Sequence, residues 1–312
     1  MKATQGTTYR GLQAQLQSMG VNLENLRNTA ASGKKFTKSS DNPAAIRPVL
    51  NARSQILTSD RYLTTMGHAL DKMDSTDSYL GNVEDILQRV RELTLNGMNS
   101  SLNQQDLNSL ADQVGYLKQQ LVDTANTKLD GKYLFAGFSE DVEPFTTNPA
   151  YDPALDPRPV LYKGDENAVK LEVAPGQMLQ VNLTGNSLFL GDDNNDGVTD
   201  PGKVDIFATL TQIEDSLRAG DISGLEAQLT PLENGADQVR SGRSFLGNNA
   251  ARVETGMTQM EDTKIDLKQI LSRYEDADVV ETLTQLTQQE TAFQAALNVT
   301  AKVSQLSILN YL

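Results

Sequence analysis

The sequence contains no cysteine and a single histidine, His68. The first absence excludes disulfides, cysteine-ligated zinc and thiol nucleophiles; the second leaves no set of histidines for a metal or a catalytic triad. His68 itself lies within a helical pattern and is expected at a surface. No run of 18 apolar residues occurs, so no stretch has the length to cross a bilayer as a helix. The opening residues MKATQGTTYRGLQ lack the apolar stretch of a secretory signal, so the chain is expected to stay in the cytosol or to leave it without a cleaved leader. Basic residues are outnumbered, 27 against 41, for a net charge of −14. Nucleic-acid binding rests on clustered lysine and arginine, so it is disfavoured here. No G-x-S-x-G, P-loop or G-x-G-x-x-G motif is present. Neither enzymatic chemistry nor a cofactor or metal is expected.

What the sequence does have is helical periodicity. Leu232, Ala236, Val239, Arg243, Leu246, Ala250, Val253, Met257, Met260, Lys264, Leu267, Leu271 and Tyr274 follow one another in alternating steps of four and three. That spacing places them on one stripe of an α-helix and repeats with the coiled-coil period. Arg243 and Lys264 can lay their aliphatic stems along such a seam. Thr230, Pro231 and Glu233 read as a capping box at the start of this helix. From Thr230 to Tyr274 it would span roughly 65 Å at about 1.5 Å per residue. A compact globule of this chain length has a radius of gyration of only about 20 Å, so a rod is expected.

The remaining segments have the same character at both ends of the chain. Tyr9, Leu12, Leu16, Met19, Leu23, Leu26 and Ala30 mark a first amphipathic helix ending near Gly33, with Lys34 and Lys35 beyond it. Ser40-Asp41-Asn42-Pro43 starts a second, with Leu63, Met66, Leu70, Met73, Leu80, Val83, Leu87 and Val90 on its apolar face; Pro48 is placed to kink or delay it. Asn96-Gly97 closes it. A third helix carries Leu107, Leu110, Val114, Leu117 and Leu121. From Gly131 to Gly202 the texture changes. Seven of the ten prolines fall here: Pro144, Pro149, Pro153, Pro157, Pro159, Pro175 and Pro201. The alternation Val169-Leu171-Val173, the turn Pro175-Gly176 and then Met178, Val181 and Leu183 predict a hairpin. A short helix with Ile206, Leu210, Ile213 and Leu217 returns to the long stripe. The last segment opens with Asp278 and Glu281 as a second capping box. Val279, Leu283, Leu286, Phe293 and Leu297 form its stripe, continued with a shift by Val299, Val303, Leu306 and Leu309.

The expected fold is mainly α with a β-rich insert: an elongated antiparallel helical rod with terminal coiled-coil helices and an outer β domain. Residues 1–32 with 278–312 form the terminal assembly domain, 33–130 with 203–277 the rod, and 131–202 the insert. Both ends are poor in charge for solvated helices, so they are expected to be covered by other protein. The candidate self-assembly residues are Leu12, Leu16, Met19, Leu23, Leu26, Leu283, Leu286, Phe293, Leu297, Val303, Leu306 and Leu309.

One stretch suggests a metal. Asp192-Asp193-Asn194-Asn195-Asp196-Gly197 has oxygen ligands at positions one, three and five of a calcium loop, then glycine, with Asp200 at position nine. Position twelve is Lys203 where such a loop needs glutamate, so a plain acidic loop without calcium binding is expected.

Several pieces, in order and position, resemble the flagellin superfamily. They are Ser40-Asp41-Asn42-Pro43, the run Gly131-Lys132-Tyr133-Leu134-Phe135-Ala136-Gly137-Phe138, Pro144-Phe145, Tyr162-Lys163-Gly164-Asp165, Ser272 to Asp278, and the ending Leu306 to Leu312. The Tyr-Leu-Phe-Ala-Gly piece and the Tyr-Leu ending resemble the members that join hook to filament more than those that build the filament; Asp192 to Gly202 departs from the pattern. The resemblance implies a structural subunit exported unfolded through the flagellar type III apparatus with a chaperone. It implies a homo-oligomeric ring between hook-associated protein 1 and flagellin, outside the cell. Filament flagellin is the alternative within the family. A surface enzyme or calcium-dependent adhesin using the insert is the alternative outside it.

Overall fold

A computed structural model describes residues 2–38, 40, 42–152, 158–174 and 176–309, with side chains at all of these except 2–6, 8 and 304–309. Six helices carry most of the chain: α1 Lys2–Ser32, α2 Pro43–Gly97, α3 Gln104–Ala125, α4 Ile206–Ala219, α5 Ile222–Glu275 and α6 Val279–Leu309. Between α3 and α4 lie β1 Lys128–Leu129, β2 Lys132–Tyr133, β3 Phe145–Thr147, β4 Val160–Tyr162, β5 Lys170–Ala174, β6 Gln177–Gln180 and a five-residue π-helical turn, Asn186–Leu190. The chain divides into two compact units. The terminal unit comprises Met1–Asp60 and Asp262–Leu312, and the central unit Arg61–Glu261.

The central unit bears out the stripe. Leu225, Leu232, Val239, Leu246 and Val253, spaced by sevens on α5, are buried together with Met66, Met73, Leu80, Leu87 and Val90 of α2. Burying each such side chain stabilises by about 1.5–3 kcal/mol, which is why one face of each helix is held inward. The two helices run antiparallel, as their ion pairs show. Arg243 reaches Asp77 at 2.9 Å and Glu84 at 2.8 Å, with its guanidinium over Gly81. Arg91 lies 3.7 Å from Glu233. α3 and α4 pair through Lys118–Glu214 at 2.8 Å and Arg218–Asp112 at 2.8 Å.

The start of α5 corrects the capping box at Thr230. The helix begins at Ile222 and runs through Pro231 without a break. A proline inside a helix costs about 3 kcal/mol, since it lacks the N–H and crowds the preceding turn. Leu225 and Leu232, both buried, lie one heptad apart on either side of it, and their burial carries one helix through the position read as its start. Pro48 likewise sits inside α2, which starts at Pro43 with the Asn42 side chain accepting from the Ala45 N–H at 3.2 Å. Asp41 and Pro175, assigned above to a cap and a turn, fall outside the described residues.

The insert's strands make three separate antiparallel two-stranded ladders, β1–β2, β3–β4 and β5–β6. The last is the hairpin expected from the alternation, with Leu171 opposite Leu179. What gathers the first two ladders is an aromatic hub. Phe189 packs edge-on against Phe135 and Phe145 at 5.3 and 5.4 Å, and Phe207 of α4 closes it at 5.8 Å. The Tyr-Leu-Phe-Ala-Gly run feeds this hub: Leu134, Phe135 and Ala136 are buried. Gly137, at φ 72°, turns the chain where a Cβ would stand 2.3 Å from the Asp165 carbonyl oxygen. α5 seats the insert with amides: Asn249 donates to the Gln180 carbonyl at 3.0 Å, and Gln238 to that of Leu188 at 2.8 Å.

Candidate functional site

In the terminal unit α1 and α6 pack side by side and antiparallel. Arg27 pairs with Glu290 at 2.7 Å, and the Phe293 ring lies against Gly20, where an added Cβ would meet it at 3.9 Å. Leu23 is buried, and Leu12, Leu16, Met19 and Leu26 are half-buried along the same stripe of α1. On α6 the half-buried face is Leu286, Phe293, Ala296 and Thr300, with Thr282 buried. Leu286 and Phe293 are therefore brought to the α1 seam. Leu283 and Leu297 are not: each stands one position round from a seam residue, about 100° on a helix of 3.6 residues per turn. They are 49% and 46% exposed. Val303 is exposed too, and Leu306 and Leu309 lie outside the described side chains.

The residues of the expected stripe thus divide between a seam that pairs the two helices and an apolar surface beside it. Val279, Val280 and Val299 extend that surface, and Tyr9 and Val21 are exposed on α1. Threonine adds to it. The hydroxyls of the exposed Thr284, Thr287 and Thr291 each donate to the carbonyl four residues back, at 2.8–2.9 Å. A hydroxyl bonded to its own helix leaves the methyl group outermost, so a helix rich in threonine presents more apolar surface than its composition suggests. Over its whole length α6 carries three charges, Glu281, Glu290 and Lys302.

Where the terminal pair joins α2 and α5, the two connecting segments are bonded to each other. α1 ends on Gly33, at φ 68°, whose N–H reaches the Thr29 carbonyl at 2.8 Å. The Lys35 N–H then donates to the Glu275 carbonyl at 2.6 Å and the Ala277 N–H to that of Gly33 at 2.8 Å. The Glu275 carboxylate is buried between Arg53 at 2.5 Å and Lys34 at 3.4 Å. Asp278 caps α6, accepting from Val280 and Glu281 at 2.9 and 3.1 Å, as its position predicts. The bonded connection was not foreseeable from periodicity. Its signal is the pair Lys34-Lys35 facing Glu275-Asp276 across more than 230 positions.

The acidic stretch of the insert closes on itself. The buried Asp192 carboxylate accepts from the Asp196 and Gly197 N–H groups at 3.2 and 2.9 Å and pairs with Arg158 at 3.1 Å. Asp193 pairs with Lys203, and Asp200 accepts from the Asp193 N–H at 2.7 Å. The carboxylates at positions one, five and nine thus accept from backbone amides, and that of Asp192 also faces Arg158, while Lys203 holds Asp193, which is not a ligand position. Among the described residues no three His, Cys, Asp or Glu side chains gather as a metal site. Asp205, which caps α4 by accepting from Ala208 at 2.9 Å, is buried, and burial pushes its carboxyl up to about 7 against the pull of that bond and of Arg158. His68 is exposed on α2.

The N-terminal helical region of bacterial flagellins matches residues 7–140, and their C-terminal helical region matches residues 229–312. Flagellar hook-associated protein 3 of Escherichia coli strain K12 is 25% identical over 294 residues, 89% of either chain. A flagellin of Halalkalibacterium halodurans is 23% identical over 297 residues, 93% of this chain and 92% of its own. In fold the chain is similar to the crystal structure of flagellar hook-associated protein-3 from Legionella pneumophila, with a TM-score of 0.62 at 16% identity over 72% of this chain and 98% of that one.

Proposed function

The chain belongs to the flagellin family, and we propose that within it this protein is the structural subunit of the hook–filament junction. The observation that carries the reading is the outward surface of α6, where Val279, Val280, Leu283, Leu297, Val299 and Val303 stay exposed on a helix with three charges after it has paired with α1. Helices this long are marginal in water without a packed face, and exposed apolar stripes of this extent mark a surface that another protein covers. Leu12, Leu16, Met19, Leu23, Leu26, Leu286 and Phe293 set the pair. Leu283, Leu297 and Val303, continued by Leu306 and Leu309, meet neighbouring copies. Copies close into a ring between hook-associated protein 1 on the hook side and flagellin on the other. The division of labour is terminal assembly domain 1–32 with 278–312, rod 33–130 with 203–277, and outer insert 131–202. The subunit reaches the outside of the cell through the flagellar type III export apparatus, escorted by an export chaperone, and it performs no catalysis.

The name carried by the Escherichia coli relative, matched over most of both chains, favours the junction over the filament. The near-equal likeness to flagellins keeps filament subunit as the second reading. A strain deleted for this chain separates the two. For a junction subunit, its cells shed filaments into the medium while hooks remain, and the wild-type chain restores attachment. For a filament subunit, the purified chain grows filaments when seeded.

A further inference from the structure

Besides the surfaces of α1 and α6, the terminal unit exposes two more seams, one on each of its other helices. On α2, Ala45, Val49, Ala52 and Ser59 are buried. Beside them Arg47, Leu50, Ser54 and Leu57 are exposed and follow one another by three, four and three. Leu50 and Leu57, one heptad apart, are 58% and 64% exposed. On α5 and at the residue that follows it, Leu267 and Glu275 are buried, while Ile265, Gln269, Ser272 and, just past the helix end, Asp276 are exposed at spacings of four, three and four. Ile265 is 53% exposed. The α2 set lies on one stripe of its helix over about 15 Å at 1.5 Å per residue; Ile265, Gln269 and Ser272 share a stripe of α5, and Asp276 is the first residue past its end, its N–H bonded to the Ser272 carbonyl at 2.8 Å.

The seams complement each other in charge. The α2 seam opens on Arg47, in a chain half, residues 1–60, that holds eight basic and three acidic residues. The α5 seam closes on Asp276, in a half, residues 262–312, that holds four basic and seven acidic ones. α2 and α5 are antiparallel within the unit, since Arg53 pairs with Glu275 and Asp60 with Lys264. Copies standing side by side in one orientation would therefore bring the α2 of one antiparallel to the α5 of the next. That order places Leu57 opposite Ile265, Ser54 opposite Gln269, Leu50 opposite Ser272 and Arg47 opposite Asp276.

We propose that this is a heterologous contact between copies of the chain: the α2 seam Arg47–Leu50–Ser54–Leu57 of one subunit seats on the α5 seam Ile265–Gln269–Ser272–Asp276 of its neighbour. A contact joining two different faces leaves one of each free at every step, so it propagates until a ring closes. The apolar pair supplies affinity. The charged pair fixes direction, because two α2 seams set against each other would oppose arginine to arginine. The inference rests on the junction reading and names a contact that the terminal helices alone do not provide.

The chain has no cysteine, so introduced thiols report on one pair at a time. A chain carrying Leu57→Cys and Ile265→Cys together is placed as the sole copy in the deletion strain, and isolated flagella are oxidised with copper phenanthroline. The expected result is a ladder of cross-linked multimers, absent from either single variant. Arg47→Glu should lower filament attachment at least tenfold, and adding Asp276→Lys in the same chain should restore it, since each contact then carries the pair reversed. Attached filaments with no ladder, or no restoration by the reversed pair, would overturn the seam and leave the junction reading standing. Failure of the wild-type chain to restore attachment would overturn both.

Discussion

The two units of this protein solve opposite problems. The central unit holds 15 basic and 31 acidic residues, the terminal unit 12 and 10. The continuous buried core, from Met66 to Val253, lies wholly in the central unit. The buried apolar side chains of the terminal unit are few: Leu23, Ala45, Val49, Ala52 and Leu267. Exposed large apolar side chains show the reverse. Among the described residues thirteen fall in the 111 residues of the terminal unit and eight in the 201 of the central one. A unit with a closed core and a net charge of −16 is suited to water, where like charge keeps molecules apart. A nearly neutral unit with open apolar stripes is suited to being covered. On the reading proposed above, stability and assembly belong to different parts of one chain, and disturbing one should leave the other intact.

The largest test of that separation is Phe189→Ala at the aromatic hub. It should cost about 3–5 kcal/mol, as for other buried aromatics, and be seen as a lower melting temperature of the central unit. Leu267→Ala should cost on the order of 2–5 kcal/mol if the thin core of the terminal unit is as closely packed. A smaller loss there, read in the same calorimeter, would show that the unit relies on its neighbours for packing. Asp205→Asn probes pH. The folded state holds the Asp205 carboxyl near 7 against an ordinary value of 3.8, so the wild type binds the proton more tightly folded than unfolded. Its contribution is whole below about pH 4 and is lost as pH rises toward 7. Asparagine keeps a cap for Ala208 without the charge, so the variant should gain stability relative to wild type, by on the order of 1–3 kcal/mol between pH 4 and 8. The smallest thermal effect belongs to Leu297→Asp. Exposed at 46%, it should move the melt by no more than about 0.5 kcal/mol, yet abolish filament attachment by placing a carboxylate in an apolar contact between copies. A large fall in melting temperature would show that the α1–α6 surface supports the subunit itself.

How much of this could be read beforehand followed from the range of the interactions. The α5 stripe, from Leu232 through Leu271, is inward at every position, because a seam of thirteen residues averages out local exceptions; only Tyr274 at its end is exposed. Thr230-Pro231 misled because its start signal is local, whereas what overrides it, Leu225 packing one heptad before Leu232, is tertiary. α6 was harder. Its seam is built partly from Thr282, Ala296 and Thr300, which carry little hydrophobic contrast, so Leu283 and Leu297 looked like the centre of a face whose edge they occupy. The three ladders of the insert, two to five residues per strand, are too short for alternation to mark, except in the hairpin at Leu171 and Leu179. The Glu275 connection joins positions far apart in the chain that no periodicity relates.

That connection has a mechanical meaning. A lone peptide segment between two helices turns about two soft dihedrals per residue and acts as a swivel. Two such segments, running side by side at Gly33–Lys35 and Glu275–Ala277 and joined by backbone hydrogen bonds, behave as a braced pair. Twisting one relative to the other must shear the bonds and draw the Glu275 carboxylate away from Arg53 and Lys34. The terminal helices are therefore geared to α2 and α5, and a turn imposed at one end of the terminal unit arrives at the other as torque.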